Sequence, residues 1–198
     1  MKQIFKYLAI GLIPILWAWP GLYLYATMMT FGEMGIYLLP VFAALLLFCW
    51  HRVGRWSAGQ DFPAKPIFGT LLAHLPMAAL LGMEIASMKV TGLPGDAILW
   101  ICAILSTSVR MPFYALCMSP VGSGSAMDVL LQGICTILPM AIGFWLGQIG
   151  APFRVRTLIL PLLASLLWGF GYEWAYLPII LLWLDWMDYD IFKWKKNQ

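Results

Sequence analysis

Long apolar runs separated by short polar connections make up this chain from one end to the other. Six stretches, near residues 7–29, 35–51, 67–88, 97–117, 129–149 and 157–184, each hold enough apolar residues for a helix to cross a bilayer. A hydrocarbon core of about 30 Å takes about 20 such residues at the helical rise. Transmembrane β-strands would instead alternate apolar and polar side chains in segments of about 10 residues, a pattern these runs lack. The expectation is an all-α integral membrane protein: a single transmembrane domain over residues 1–198, built as a bundle of about six helices. The connections, Thr30 to Met34, Arg52 to Pro66, Lys89 to Asp96, Ser119 to Asp128 and Gly150 to Arg156, are short. Neighbours in sequence should therefore pack antiparallel.

The last stretch is the longest and contains Gly169, Gly171, Glu173 and Pro178. It reads either as one tilted, kinked span or as two half-helices. Prolines fall inside the runs at Pro14, Pro40, Pro76, Pro112, Pro139, Pro161 and Pro178. Each removes a backbone hydrogen bond, and membrane helices tolerate this where neighbouring helices satisfy the freed carbonyls.

Composition agrees with the pattern. Hydrophobic residues make up 62% of the chain and charged ones 11%, against roughly 45–50% and about 25% in soluble domains. That leaves too little polar surface to cover a water-facing globule. The net charge of +3 is small and the basic residues cluster at span ends, so nothing resembles a stripe that tracks a phosphate backbone, and nucleic acid is not an expected partner. Cys49, Cys102, Cys117 and Cys135 lie in apolar runs without metal-ligand spacing and read as buried thiols.

Orientation follows from Lys and Arg near the span ends, which are retained on the cytoplasmic side. Six spans put Lys2, Lys6, Arg52, Arg55, Lys65, Lys193, Lys195 and Lys196 on one side and Lys89, Arg154 and Arg156 on the other. Eight against three places both termini in the cytoplasm of a bacterial-type inner membrane. Lys2 and Lys6 precede a run that lacks a small-x-small cleavage site, so the N-terminus reads as a retained first span. The loop from Arg52 to Pro66 mixes Arg52, Arg55 and Lys65 with Trp56, which suits lipid headgroups or a protein partner.

Candidate chemistry is sparse. Charged side chains inside a span are costly and tend to face the bundle interior with a partner. Arg110, Glu173 and Glu84 qualify, with His74 as a polar neighbour. Counting residues from the outer helix ends puts Arg110, Glu173 and His74 at a common depth of about 21–24 Å, with Glu84 about 13 Å nearer the outside. Glu173 is therefore the expected partner of Arg110. The three residues form an expected polar layer, serving either as a binding path or as a structural ion pair, and Glu84 is a secondary candidate that lies about one turn from Lys89 and could reach the outer interface by snorkelling.

The tail places Asp185, Asp188 and Asp190 close enough together to hold Mg²⁺. With Lys193, Lys195 and Lys196 following, it reads instead as an interfacial acidic cluster whose charges pair along a helix. His51 and His74 sit at different depths, which argues against a bis-histidine haem. No cofactor and no metal are expected. Gly122, Ser123, Gly124 and Ser125 lack both the histidine of a serine hydrolase and the lysine of a phosphate loop, and read as a flexible connection.

The functional expectation is a small transporter or permease component, or the membrane subunit of a larger complex, whose partners are the lipid bilayer and other protein subunits. Six spans leave little mass for an energy-coupling domain of its own. Two alternatives stand beside it: a membrane-embedded enzyme acting on a lipid or lipid-linked substrate through the C-terminal Asp cluster, and a non-catalytic assembly or scaffold protein.

Overall fold

A computed structural model describes residues 2–16, 30, 39–59, 65–88, 96–110, 112–113 and 126–153. Among these residues all regular structure is helical. The helices are α1 (Lys2–Gly11), α2 (Ile13–Leu16), α3 (Leu39–Ala58), α4 (Pro66–Ser87), α5 (Asp96–Arg110) and α6 (Ala126–Gln148). Among the described residues, two segments, Pro66–Ser87 and Val129–Gln148, are long and apolar enough to cross a membrane. The stretch expected over 157–184 lies outside the described residues, as does most of 7–29.

Helix starts and stops follow local chemistry. Pro66 opens α4, where a missing N–H costs nothing because the first turn has no acceptor for it. Pro76 and Pro139 sit inside α4 and α6, and both helices run on through them. Helix α3 continues to Ala58, so Arg52 and Arg55 lie on its last turns and not in a loop as expected. Cations near the end of an apolar run mark the water boundary, but a helix satisfies its own backbone and need not stop there.

Helix α6 lies between α3 and α4, and α4 also packs on α1 and α5. Leu47 and His51 of α3 face Gly143 and Gly147 of α6 in the same chain order, so these two helices run parallel. Leu81 meets Gly133 and Thr70 meets Gln148, so α4 and α6 run antiparallel. This corrects the expected alternation of six single crossings, where these two would run parallel; α5, between them in the chain, has 15 residues and is shorter than a crossing needs. Tyr7 rests on Gly69 and Gly11 on Ala73, so α1 runs parallel to α4. The main partner of α3 is thus α6, not its sequence neighbour α4.

Glycine makes the α3–α6 contact possible. Gly143 and Gly147 form a G-x-x-x-G pair on one face of α6, and Gly54 stands opposite on α3. A Cβ at Gly147 would strike the His51 carbonyl oxygen and lie 2.8 Å from the Arg55 amide nitrogen. A Cβ at Gly54 would strike the Phe144 carbonyl and sit 3.1 Å from the Phe144 Cα. Small residues that let two backbones touch are the usual route to helix packing in lipid, where no hydrophobic effect drives helices together. The apolar core around this seam contains Leu47, Trp50, Ala73, Met77, Met140 and Phe144.

Polarity is arranged inside out. Large apolar side chains such as Ile67, Leu71 and Leu75 on α4, Ile98, Ile101 and Ile104 on α5, and Leu131, Ile134 and Leu138 on α6 are exposed. Thr70, His74, Glu84, Ser106, Ser108, Arg110 and Thr136 are buried. Cys49 was expected to be buried and is exposed. Its apolar neighbours set its depth in the run, but its angular position on α3, beside Leu45, Phe48 and Arg52, sets the face it occupies.

Candidate functional site: a buried arginine–glutamate pair

Arg110 ends α5 and is 7% exposed; Glu84, in the last turn of α4, is 5% exposed. A guanidinium in the last turn of a helix lies in the field of unsatisfied carbonyls, which favours a cation there. One terminal nitrogen of Arg110 forms an ion pair with Glu84 Oε1 and also donates to Thr107 Oγ1 at 3.3 Å. The other donates to Gln132 Oε1 on α6 at 2.6 Å. Thr107 Oγ1 in turn donates to Glu84 Oε1 at 3.1 Å. Three helices therefore meet through one charged pair and two neutral polar side chains.

Charge-assisted bonds of this kind offset part of the desolvation that both ions suffer when buried. The offset is incomplete on the acid side. Glu84 Oε2 is buried and has no hydrogen-bond partner among the described residues. On the flank of Arg110 lies a small cavity between Met77 and Leu81 of α4, Ser106 and Val109 of α5, and Gly133 and Ile137 of α6. It has room for about one water molecule.

The depth count separated Glu84 from Arg110, and the structure corrects it: the two are bonded. That count compared Cα positions on upright helices. Long side chains lean toward the N-terminus of their own helix, and on antiparallel neighbours those leans converge. Glu173, the expected partner, lies outside the described residues, as do Asp185, Asp188 and Asp190.

His74 was expected to complete the layer and is engaged elsewhere. Trp50 Nε1 donates to His74 Nε2 at 2.9 Å. The indole N–H is only a donor, so Nε2 is the acceptor and the proton sits on Nδ1. That proton is donated to the Thr70 carbonyl at 2.7 Å. Trp50 and Phe144 both stand edge-on to the ring, at centroid distances of 5.7 and 5.9 Å. Both nitrogens are used, and the imidazole is a packed element of the α3–α4–α6 junction.

Sequence reasoning passed over the amides. Gln132 holds the guanidinium, and Gln148 joins four helices: its amide nitrogen donates to Tyr7 Oη at 3.2 Å and Ser57 Oγ at 3.4 Å, and its oxygen accepts from Thr70 Oγ1 at 3.0 Å. The available signal was an uncharged polar side chain inside an apolar run, which needs an interhelical partner in lipid as much as an ion does. Together, Thr70, His74, Met77, Leu81 and Glu84 make one buried stripe along α4, polar at both ends and apolar in the middle. No protein family, characterised protein or solved structure matches this chain, so its site stands on its own geometry.

Proposed function

We propose that this chain is a multi-pass protein of a bacterial-type inner membrane, with the bundle end where Tyr7, Ser57, Thr70 and Gln148 meet, and with it the N-terminus, on the cytoplasmic side. It acts as a small transporter or permease component, or as the membrane subunit of a larger complex. The observation that carries the reading is the Arg110–Glu84 pair, buried where α4, α5 and α6 meet, with a water-sized cavity beside the guanidinium. Ionised groups in a membrane interior commonly line paths for ions or solutes, and apolar packing would avoid their desolvation. The polar stripe on α4 gives such a path two polar ends separated by Met77 and Leu81. The exposed apolar faces of α4, α5 and α6 support the membrane placement, and Lys2, Lys6, Arg52, Arg55 and Lys65 at one end of the bundle support the orientation.

Two measurements test this. Reporter fusions after Gln60 and after Gly150 should both read cytoplasmic, because α3 and α6 end on the same side; a periplasmic signal after Gly150 would remove this topology. Full-length tagged protein extracted in mild detergent should carry a stoichiometric partner, identified by mass spectrometry. A monodisperse chain with none would overturn the subunit assignment.

A further inference from the structure

One end of the bundle gathers cations that the Arg110–Glu84 site does not use. The Gln148 amide holds Tyr7 of α1, Ser57 of α3 and Thr70 of α4 at one level. Arg55 lies two residues before Ser57, Arg52 three residues before that, and Lys65 five residues before Thr70. At about 1.5 Å per helical residue, all of them fall within about 8 Å of that level along the axes. Arg52, Arg55 and Lys65 are exposed. Among the described residues, the sequences of α1 and α3, the first turn of α4 and the last turn of α6 bring no carboxylate to this end.

The exposed face of α3 continues from these cations into apolar surface. Leu45, Phe48, Cys49, Arg52, Arg55 and Trp56 follow the i, i+3, i+4 spacing of one helix face, and all are exposed. Phe48 stacks edge-on against Phe153, and the Arg52 guanidinium lies 5.2 Å above the Phe48 ring, at the boundary between the two halves. Trp56, 57% exposed, ends the stripe with an amphipathic ring of the kind that prefers the headgroup layer. A short apolar strip leading into two guanidinium groups complements an amphiphile with a negative head.

We infer that this face of α3 is a binding site for an anionic phospholipid: the phosphodiester on Arg52 and Arg55, an acyl chain starting along Phe48 and Leu45. The apolar strip selects a lipid over free phosphate, since free phosphate has no use for it. The site requires that the bundle sit in a bilayer, not that it transport anything.

The test is native mass spectrometry of the full chain released from mild detergent in the presence of phosphatidylglycerol or phosphatidylcholine with the same acyl chains. Retained phosphatidylglycerol should exceed phosphatidylcholine by at least about tenfold. Each cation near an anionic surface contributes about fivefold in affinity, so the R52Q/R55Q variant should bind phosphatidylglycerol about twenty-five-fold more weakly. R52K/R55K keeps both charges and should keep the preference, which separates recognition from misfolding. Three results would overturn the site: equal retention of the two lipids, undiminished phosphatidylglycerol in R52Q/R55Q with a melting temperature equal to wild type, or full displacement of the lipid by inorganic phosphate.

Discussion

Replacing Arg110 by alanine is expected to destabilise the fold by about 3–5 kcal/mol, because it strands Glu84 as an uncompensated buried charge. Glu84→Ala should cost a similar amount by stranding the guanidinium, although Gln132 and Thr107 still accept from it. The double replacement R110M/E84L removes both charges and fills the space with apolar atoms. It should recover most of the loss, since the Coulomb attraction of a buried pair barely exceeds the desolvation of its members. The measurement is reversible unfolding in detergent or bicelles across the four-member cycle, and the expected result is strong non-additivity. Additive losses would mean that the two side chains do not interact, against the geometry of the pair. Activity, once a transport assay exists, separates the two roles: a structural pair permits R110M/E84L to work, whereas a path through Arg110 does not.

The second large effect belongs to the α3–α6 seam. Gly54→Leu and Gly147→Leu should each prevent the two helices from closing, since the added side chain meets backbone atoms of the opposite helix. Even alanine at either position should cost about 1–3 kcal/mol, the range for overpacking a close contact. The control is Gly82 on α4, where a Cβ would meet nothing within 4 Å. Gly82→Ala should be neutral or stabilising by about 0.5–1 kcal/mol through helix propensity. The same unfolding assay reads all three positions. Equal tolerance at Gly54, Gly147 and Gly82 would show that the close approach is not required.

Much of the helical layout was legible in the apolar pattern. Helices α4 and α6 cover 66–87 and 126–148, close to the stretches expected near 67–88 and 129–149. Continuous apolar length is a one-dimensional property, and a helix in lipid has no alternative way to satisfy its backbone. The end of α3 was less legible, because His51, Arg52 and Arg55 mark where polarity begins and not where hydrogen bonding ends. Arg110 and Glu84 were legible as candidates, since a charge in an apolar run is conspicuous whatever it touches.

Their pairing was decided only in three dimensions. Depth along a helix can be counted from the sequence; the angle around it, the lean of a long side chain and the choice of neighbouring helix cannot. Those three quantities brought Glu84 to Arg110, turned His74 toward Trp50, and put Cys49 on the outer face. They also set α3 against α6, whose ends are far apart in the chain, because Gly54, Gly143 and Gly147 allow backbone contact there. The sequence by itself determined that apolar helices form near 66–87 and 126–148 and that Arg110 and Glu84 must be hidden. The tertiary structure decided which hidden groups meet, because in a lipid-solvated bundle the partners are chosen by close steric fit and hydrogen-bond geometry between helices, not by the burial of apolar surface that the pattern records.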